Sequence, residues 1–327
     1  MVTSIYLLSL LSLTYAYNTD KFHNWINEHD IIFTETYNYD HVFENWIDND
    51  KYIEQHNAKN LSYTLGHNKY SGFNNDEFTK LMTISYTHNE NHIYGNYESN
   101  TITAPLSIDW RTLGAVTPVK DQGQCGSCWS FSVTGAMEGI YEIKYSKLVS
   151  FSEQELVDCS TIKNGGPNMG CNGGNMQPTF DWISKNGGIC TESSYPYVSG
   201  TTTTTGTCKN TCSLVSGSRV TSSVAVKSKS DTDMVNALSI QPVSIGIQAN
   251  QRDFQLYSGG LFDSLNCGTN LDHGVLLVGY SPDYYIMKNS WGTSWGDKGY
   301  MYMARGSQYN NGAGQCGLLL EGSYPKL

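Results

Sequence analysis

Apolar and polar positions divide the chain into stretches of different character. Residues 1–16 are apolar and end in Thr-Tyr-Ala. The run is too short to span a bilayer comfortably and closes in a small-x-small pattern, so it predicts a signal peptide. Between residues 20 and 60, Phe22, Trp25, Ile26 and His29 share one face, and Val42, Trp46, Asn49, Ile53 and Asn57 share another at steps of three and four. Two helices are expected there. Residues 86–104 are polar, rich in Asn and Tyr, and without period, which reads as a linker and processing site.

After that linker the period changes. Met137, Ile140, Tyr141 and Lys144 follow helical spacing behind Cys128, and Gly135, Ala136 and Gly139 allow close packing. A Gly-rich loop covers 165–174, a short helix is expected near Thr179–Lys185, and Thr201–Thr205 reads as a surface spacer. From Val224 onward β-branched and aromatic runs take over at Val243–Gln248, Val275–Tyr280, Tyr284–Lys288 and Tyr300–Met303. Helices first and strands afterwards predict an α+β protein of two lobes, with a cleft between them as the substrate site. No later stretch is long and apolar enough for a transmembrane helix.

Composition sharpens this picture. The chain has 327 residues, 15% of them charged, and a net charge of −10, which argues against nucleic acid or an anionic membrane as partner. Residues 17–103 carry a balance of −8 and residues 104–327 only −2. Seven of the eight histidines precede residue 104, and only His273 follows it. The acidic groups and histidines of the first segment change charge on acidification, the histidines near pH 6.5, so protonation is expected to loosen a docked segment whose contacts were made with their neutral or anionic forms. All nine cysteines follow residue 104. An odd count leaves one thiol outside any disulfide framework. Asn60-Leu61-Ser62 is an N-glycosylation acceptor by pattern.

The chemistry concentrates in Gln122-Gly-Gln-Cys125-Gly126-Ser-Cys128-Trp-Ser-Phe131, at the start of a helix. A helix N-terminus lowers a thiol's pKa and favours the nucleophilic thiolate. The competing reading is a redox or zinc Cys-x-x-Cys pair. Against it stand His273, 145 residues after Cys128, and Asn289 in Lys288-Asn-Ser-Trp291-Gly. An imidazole pairs with a thiolate and later protonates a leaving amine, and an amide oxygen orients the ring.

The Cys-Gly-Ser-Cys-Trp run matches a nucleophile signature of the papain and cathepsin enzymes, and the chain resembles that family, of the cathepsin L kind. The resemblance implies a two-lobed papain-like fold, with a helical left lobe and a β-barrel-like right lobe, in a peptidase domain over 104–327. It also implies a small, mainly helical inhibitory propeptide over 17–103. The propeptide motifs are degraded here: Trp46 stands for Phe, Asn38 and Val42 replace Glu and Arg, and Gly72 replaces Asp in Gly66-His-Asn-Lys-Tyr-Ser-Gly72. Catalytic roles fall by resemblance on Cys128, His273, Asn289 and Gln122. The last supplies an oxyanion-hole amide together with the Cys128 N–H, and Trp291 shields the His–Asn bond.

Substrate contacts fall by resemblance on Gly126, Gly173, Gly174, Met176, Gly246, Leu271 and Gly274, with Glu321 at the floor of the main specificity pocket. Disulfides are implied for Cys125–Cys171, Cys159–Cys208 and Cys267–Cys316, which leaves Cys190 and Cys212 to pair with each other. Eight cysteines allow 105 pairings, so spacing alone proves none of these. The implied protein is a secreted zymogen of a cysteine endopeptidase on the secretory route, bound for a lysosome-like vacuole or the exterior. It is expected to be a monomer that needs no cofactor or metal. Its partners are protein and peptide substrates, its own propeptide and cystatin-like inhibitors. The absence of a second histidine in the mature part favours an open cleft over an exopeptidase's blocked one. A non-catalytic binding protein or a metal-binding cysteine-rich protein are the competing classes.

Overall fold

The computed structural model describes residues 18–35, 37–82 and 103–327, so the expected signal peptide and most of the expected linker lie outside the described residues. Helix α1 covers residues 18–28 and α2 covers Tyr39–Asn57, followed by strand β1 (Tyr63–Leu65) and helix α3 (Asn75–Met82). Phe22, Trp25, Val42 and Trp46 form a small core of their own.

The altered motif positions explain one another in space. Asn38 caps α2 by accepting the His41 N–H. A Cβ on Gly72 would fall 2.8 Å from Val42 Cγ1 and 2.9 Å from Trp25, and closer still to the Tyr37 hydroxyl. Val42 and Gly72, standing where the family pattern has Arg and Asp, are therefore packed against each other as apolar surface. Trp46 stacks on His67 with ring centroids 4.3 Å apart. Asn49 donates to the carbonyls of Ser71 and Phe73, both at 2.9 Å.

The remaining chain builds two lobes. Helix α4 (Cys128–Tyr145), α5 (Glu153–Cys159) and α6 (Met176–Asn186) surround one apolar core. Helix α4 is buried on all sides through Gly139, because its glycines admit neighbours. A Cβ on Gly135 would sit 2.7 Å from Leu276, and one on Gly139 2.6 Å from Pro242. Helix α7 (Ser199–Thr202) overlaps the start of the expected spacer, and Thr205 Oγ1 accepts the Cys171 N–H at 2.9 Å.

The second lobe carries β3 (Ser222–Val226), β4 (Val243–Ile247), β5 (Tyr257–Phe262), β6 (His273–Tyr280), β7 (Tyr284–Lys288), β8 (Tyr300–Ala304) and β9 (Gly322–Lys326), with β2 (Ile108–Asp109) added to β6. Helices α8 (Asp231–Leu238) and α9 (Arg252–Gln255) lie between them in sequence. The strand order β1-β5-β8-β7-β6-β4-β9-β3 is open. The expected barrel-like lobe is thus corrected to an unclosed sheet. Its path runs from the N-terminal segment's own strand, which pairs Tyr63 with Gly260, to β3, which pairs only with β9.

That edge pairing is one of several contacts holding the N-terminal segment to the sheet lobe. Asp253 accepts hydroxyls from Tyr52 and Tyr63, Arg252 reaches Asn49 and Asp48, and Asn68 donates to the Gln255 carbonyl at 2.9 Å. Two histidines have the opposite consequence from that expected. His41 lies 2.5 Å from Glu77 and His67 3.0 Å from Asp50. Protonating either imidazole creates a cation beside a carboxylate and tightens the segment. Burial alone would raise the Asp50 carboxyl, but the His67 bond and the Lys21 charge outweigh it and hold it below its ordinary value.

Gly72→Ala is expected to destabilise the N-terminal segment by about 1–3 kcal/mol through overpacking against Tyr37, Val42 and Trp25. Calorimetric unfolding of the full chain carrying Cys128→Ala measures it, and an unchanged transition would mean that Tyr37 can swing aside.

Candidate active site

Cys128 is the first residue of α4, so its side chain sits at the helix's positive end. The preceding loop is pinned from below. Cys125 is bonded to Cys171, and the Gly126 N–H donates to the Cys171 carbonyl at 3.0 Å. Trp129 donates to the Gly170 carbonyl, and a Cβ on Gly174 would collide with its ring at 2.7 Å. Gly173 adopts φ +111°, which favours glycine.

His273 is the first residue of β6, and the next residue closes the seam between the lobes. The Gly274 N–H donates to Cys128 Sγ at 3.1 Å. A Cβ on Gly274 would lie 3.2 Å from both Trp129 Cα and Met176 Sδ, so a larger residue would push strand from helix. His273 Nε2 contacts Asn289 Oδ1 at 2.8 Å. Its Nδ1 is buried without a hydrogen-bond partner among the described residues. Trp291 stacks on the imidazole at 4.7 Å, and Tyr70 and Phe78 of the N-terminal segment press edge-on against Trp291 at 5.2 and 5.6 Å.

Gln122 is held at the same seam. Its N–H donates to the Ser290 carbonyl, and its Oε1 accepts the Ser290 hydroxyl at 2.7 Å. Its Nε2 donates to the Cys125 carbonyl at 3.1 Å, which uses one of two amide hydrogens. The residues expected to form the main specificity pocket also converge. Gly246 and Gly274 face each other across β4 and β6, the Gly246 N–H donates to the Glu321 carbonyl at 3.1 Å, and Met176 abuts Gly274. Leu271 is buried two residues before His273 and packs toward Gly317, four residues before Glu321. Glu321 itself is partly buried.

All four disulfides join the implied partners, including Cys190–Cys212, and Cys128 is the free cysteine.

Cys128 and His273 are 1% and 0% exposed, and this burial decides their charge. Burial pushes the thiol up to about 12, although N–H groups of Gly274 and Trp129 oppose the shift. Burial likewise lowers His273 to about 4, against the Asn289 bond, which favours the cation. The covered pair is thus a neutral thiol and a neutral imidazole. Burial also raises the neighbouring Asp272 to about 7, despite N–H donors from Ala249 and Asn250.

Sequence reasoning did not single out a charged cluster behind the seam. Lys120 bridges Glu138 at 2.9 Å and Glu153 at 2.6 Å, while Lys288 donates to the Thr117 carbonyl at 2.8 Å. Burial lowers Lys288 to about 8. No local pattern marks these residues, since each lies in a different segment.

Comparison with known proteins agrees with this geometry. Residues 104–326 match the family described as "Papain family cysteine protease", and residues 22–78 match "Cathepsin propeptide inhibitor domain (I29)". The chain belongs to the papain family of cysteine proteases and has its fold, preceded by a propeptide inhibitor domain. It is 44% identical to the probable cysteine protease RD21B of Arabidopsis thaliana over 292 residues, covering 88% of this chain but 61% of that relative. It is 43% identical to cysteine proteinase COT44 of Brassica napus, covering 88% of each. Among solved structures, the recombinant stem bromelain precursor matches with a TM-score of 0.84 at 34% identity, covering 95% of this chain and 99% of that one. The proform of the ragweed pollen allergen cysteine protease Amb a 11 matches at 0.83 and 33%, covering 95% and 94%.

The buried imidazole gives a pH dependence of definite sign. Its native value near 4 lies below the ordinary 6.5. Stability is therefore fully present above pH 6.5 and is lost as pH falls toward 4, because only the opened chain binds the proton. The loss is about 3 kcal/mol from this group across that window. His273→Gln added to the Cys128→Ala full chain is expected to remove this group's share: between pH 7 and pH 4.5 calorimetric stability should fall less, or rise more, than with His273 present, while the raised Asp272 carboxyl contributes with the opposite sign in both chains.

Proposed function

We propose that the chain is the zymogen of a cysteine endopeptidase that hydrolyses peptide bonds through a Cys128 thiolate and a His273 imidazolium. One observation carries the reading. The free thiol, at a helix N-terminus, lies against the strand that opens with the mature part's only histidine, and that histidine is bonded to Asn289. The cysteine protease names of the relatives support it.

When water reaches the seam, burial no longer holds both groups neutral. His273 Nδ1 takes the thiol proton, and Sγ attacks the carbonyl carbon of the substrate. The developing oxyanion is met by the Cys128 N–H and the free amide hydrogen of Gln122. His273 returns the proton to the leaving amine and then activates water against the acyl-enzyme. Asn289 fixes the ring's orientation, and Trp291 keeps water from their bond.

The N-terminal segment is the enzyme's own inhibitor, pressing Tyr70 and Phe78 on Trp291 and adding β1 to the sheet edge. Four disulfides support an oxidising secretory route, toward an acidic lysosome-like vacuole or the exterior. Among the described residues, no helix is long and apolar enough to cross a membrane. The working enzyme is a monomer acting on proteins and peptides, open to cystatin-like inhibitors.

Glu321 sets the main specificity. The glycines at 246 and 274 leave room beside Met176 and Leu271 for a large side chain. A partly desolvated carboxylate pairs with guanidinium and turns toward water when Phe or Leu enters.

Cys128→Ala is expected to abolish peptide hydrolysis while leaving folding intact. Turnover of a fluorogenic dipeptide amide, alongside calorimetry, tests this, and substantial residual turnover in a contaminant-free preparation would overturn the mechanism.

Glu321→Ala is expected to lower kcat/KM for Arg-Arg amides by roughly tenfold while sparing Phe-Arg amides. Equal losses on both would show that Glu321 does not read the side chain.

A further inference from the structure

Tyr197 lies in the loop before α7, away from the cleft residues named above, yet its hydroxyl touches both halves of the proposed oxyanion site from behind. It donates to the Gln122 carbonyl at 2.8 Å and lies 2.7 Å from Ser127 Oγ. With its single proton given to Gln122, the phenol oxygen accepts from the Ser127 hydroxyl. Ser127 immediately precedes Cys128. It stands at the N-cap of α4, where a serine hydroxyl ordinarily accepts a helix N–H, and it makes no such bond. Its hydroxyl contacts are instead Tyr197 and, at 3.4 Å, the Cys125 carbonyl.

We propose that Tyr197 is a positioning residue for the oxyanion site, locking the Gln122 peptide to the first turn of α4 without touching substrate. This rests on the assignment of Gln122 and the Cys128 N–H as the oxyanion donors. Gln122 is then held from both lobes, by Ser290 on the sheet side and by Tyr197 on the helical side. An oxyanion site works only when its donors are fixed before charge develops. A buried carbonyl that loses its donor is left unsatisfied, which favours a shift of the Gln122 peptide and of the amide it carries.

The tyrosine is itself well anchored. Its N–H donates to Glu192 Oε1 at 2.7 Å, and its ring meets Phe131 edge-on at 4.9 Å, one turn into α4. Gln154 Oε1 accepts the next two N–H groups, of Val198 and Ser199, at 2.8 and 2.9 Å. The Gly200 carbonyl accepts the Gln124 N–H at 3.0 Å, and a Cβ on Gly123 would fall 2.5 Å from that oxygen. Burial pushes the Tyr197 phenol well above its ordinary range, so it remains a donor at every pH where the enzyme works.

Tyr197→Phe keeps the ring on Phe131 and removes only the oxygen. In the mature enzyme, kcat for peptide amides is expected to fall about tenfold with KM little changed. Affinity for a peptide aldehyde, whose adduct places an oxygen in the site, should fall by the same factor. Alkylation of Cys128 by iodoacetamide is a displacement that develops no oxyanion, and its rate constant should be unchanged. In a Gln122→Ala background the second substitution should add little. Ser127→Ala breaks the same bridge from its other end and should reproduce the split, which keeps the test available if Tyr197→Phe folds poorly. Undiminished kcat in Tyr197→Phe, alkylation falling in step with kcat, or additive losses in the double variant would each overturn the proposal. If Gln122→Ala alone leaves kcat intact, the oxyanion assignment itself fails. If Gln122→Ala lowers kcat and Tyr197→Phe does not, only the role of Tyr197 fails.

Discussion

The contact on which the rest depends is the approach of β6 to the first turn of α4. A single N–H···S bond of 3.1 Å joins Gly274 to Cys128 across that seam. It exists because Gly274 has no side chain to hold the strand away from Trp129, and because Gly135 admits Leu276 farther along the same helix. The two lobes are therefore not merely adjacent. They share a buried boundary, and Cys128 and His273 lie in it. Burial has a direct electrostatic effect, since an ion pair is costly to form away from bulk water. Burial keeps the thiol and the imidazole neutral while the N-terminal segment is docked.

The same boundary explains how that segment reaches the chemistry while its described part stays on the sheet lobe. Tyr70 and Phe78 meet Trp291, and Trp291 covers His273. Farther out, Asp253 gathers two tyrosine hydroxyls, and β1 extends the sheet edge. An unpaired strand edge is a ready template for such an addition. Acid acts on two parts of this arrangement with opposite sign. It strengthens the histidine–carboxylate pairs within the segment, and it favours uncovering the His273 imidazole, which binds a proton only once water has access.

Behind the seam, buried charges are paired rather than avoided. Lys120 lies between Glu138 and Glu153, and Glu138 also accepts the Thr117 hydroxyl and the Phe151 N–H. Breaking such a group by removing one partner leaves a buried charge uncompensated, a loss of about 3–5 kcal/mol. The cluster ties the strand that ends at Lys288, just before Asn289, to α4 through Thr117 and Glu138 and to α5 through Lys120 and Glu153, and so holds the seam from within.

Much of the site could be read from the chain itself. The Cys-Gly-Ser-Cys-Trp run, the lone mature histidine and the odd cysteine count are local or countable features, and they pointed to Cys128 and His273, while Asn289 and Gln122 came from their motifs through the family resemblance. Strand positions were legible because β-branched runs leave a period in the sequence, and three of the four runs begin at the residue where the observed strand begins. The sheet's failure to close was not legible, because closure depends on pairing between distant strands. The sense of the histidine effect was also hidden, since sequence cannot tell whether His41 and His67 face water or Glu77 and Asp50. Tyr197, Ser290 and the Lys120 cluster left no signal for the same reason. Each matters through a partner dozens of residues away, and only packing brings those partners within hydrogen-bonding distance. The sequence by itself determined which groups are proposed to do the chemistry, because reactivity belongs to residue types in short motifs. Tertiary structure decided their charge, their orientation and their cover, because those depend on what excludes water from them.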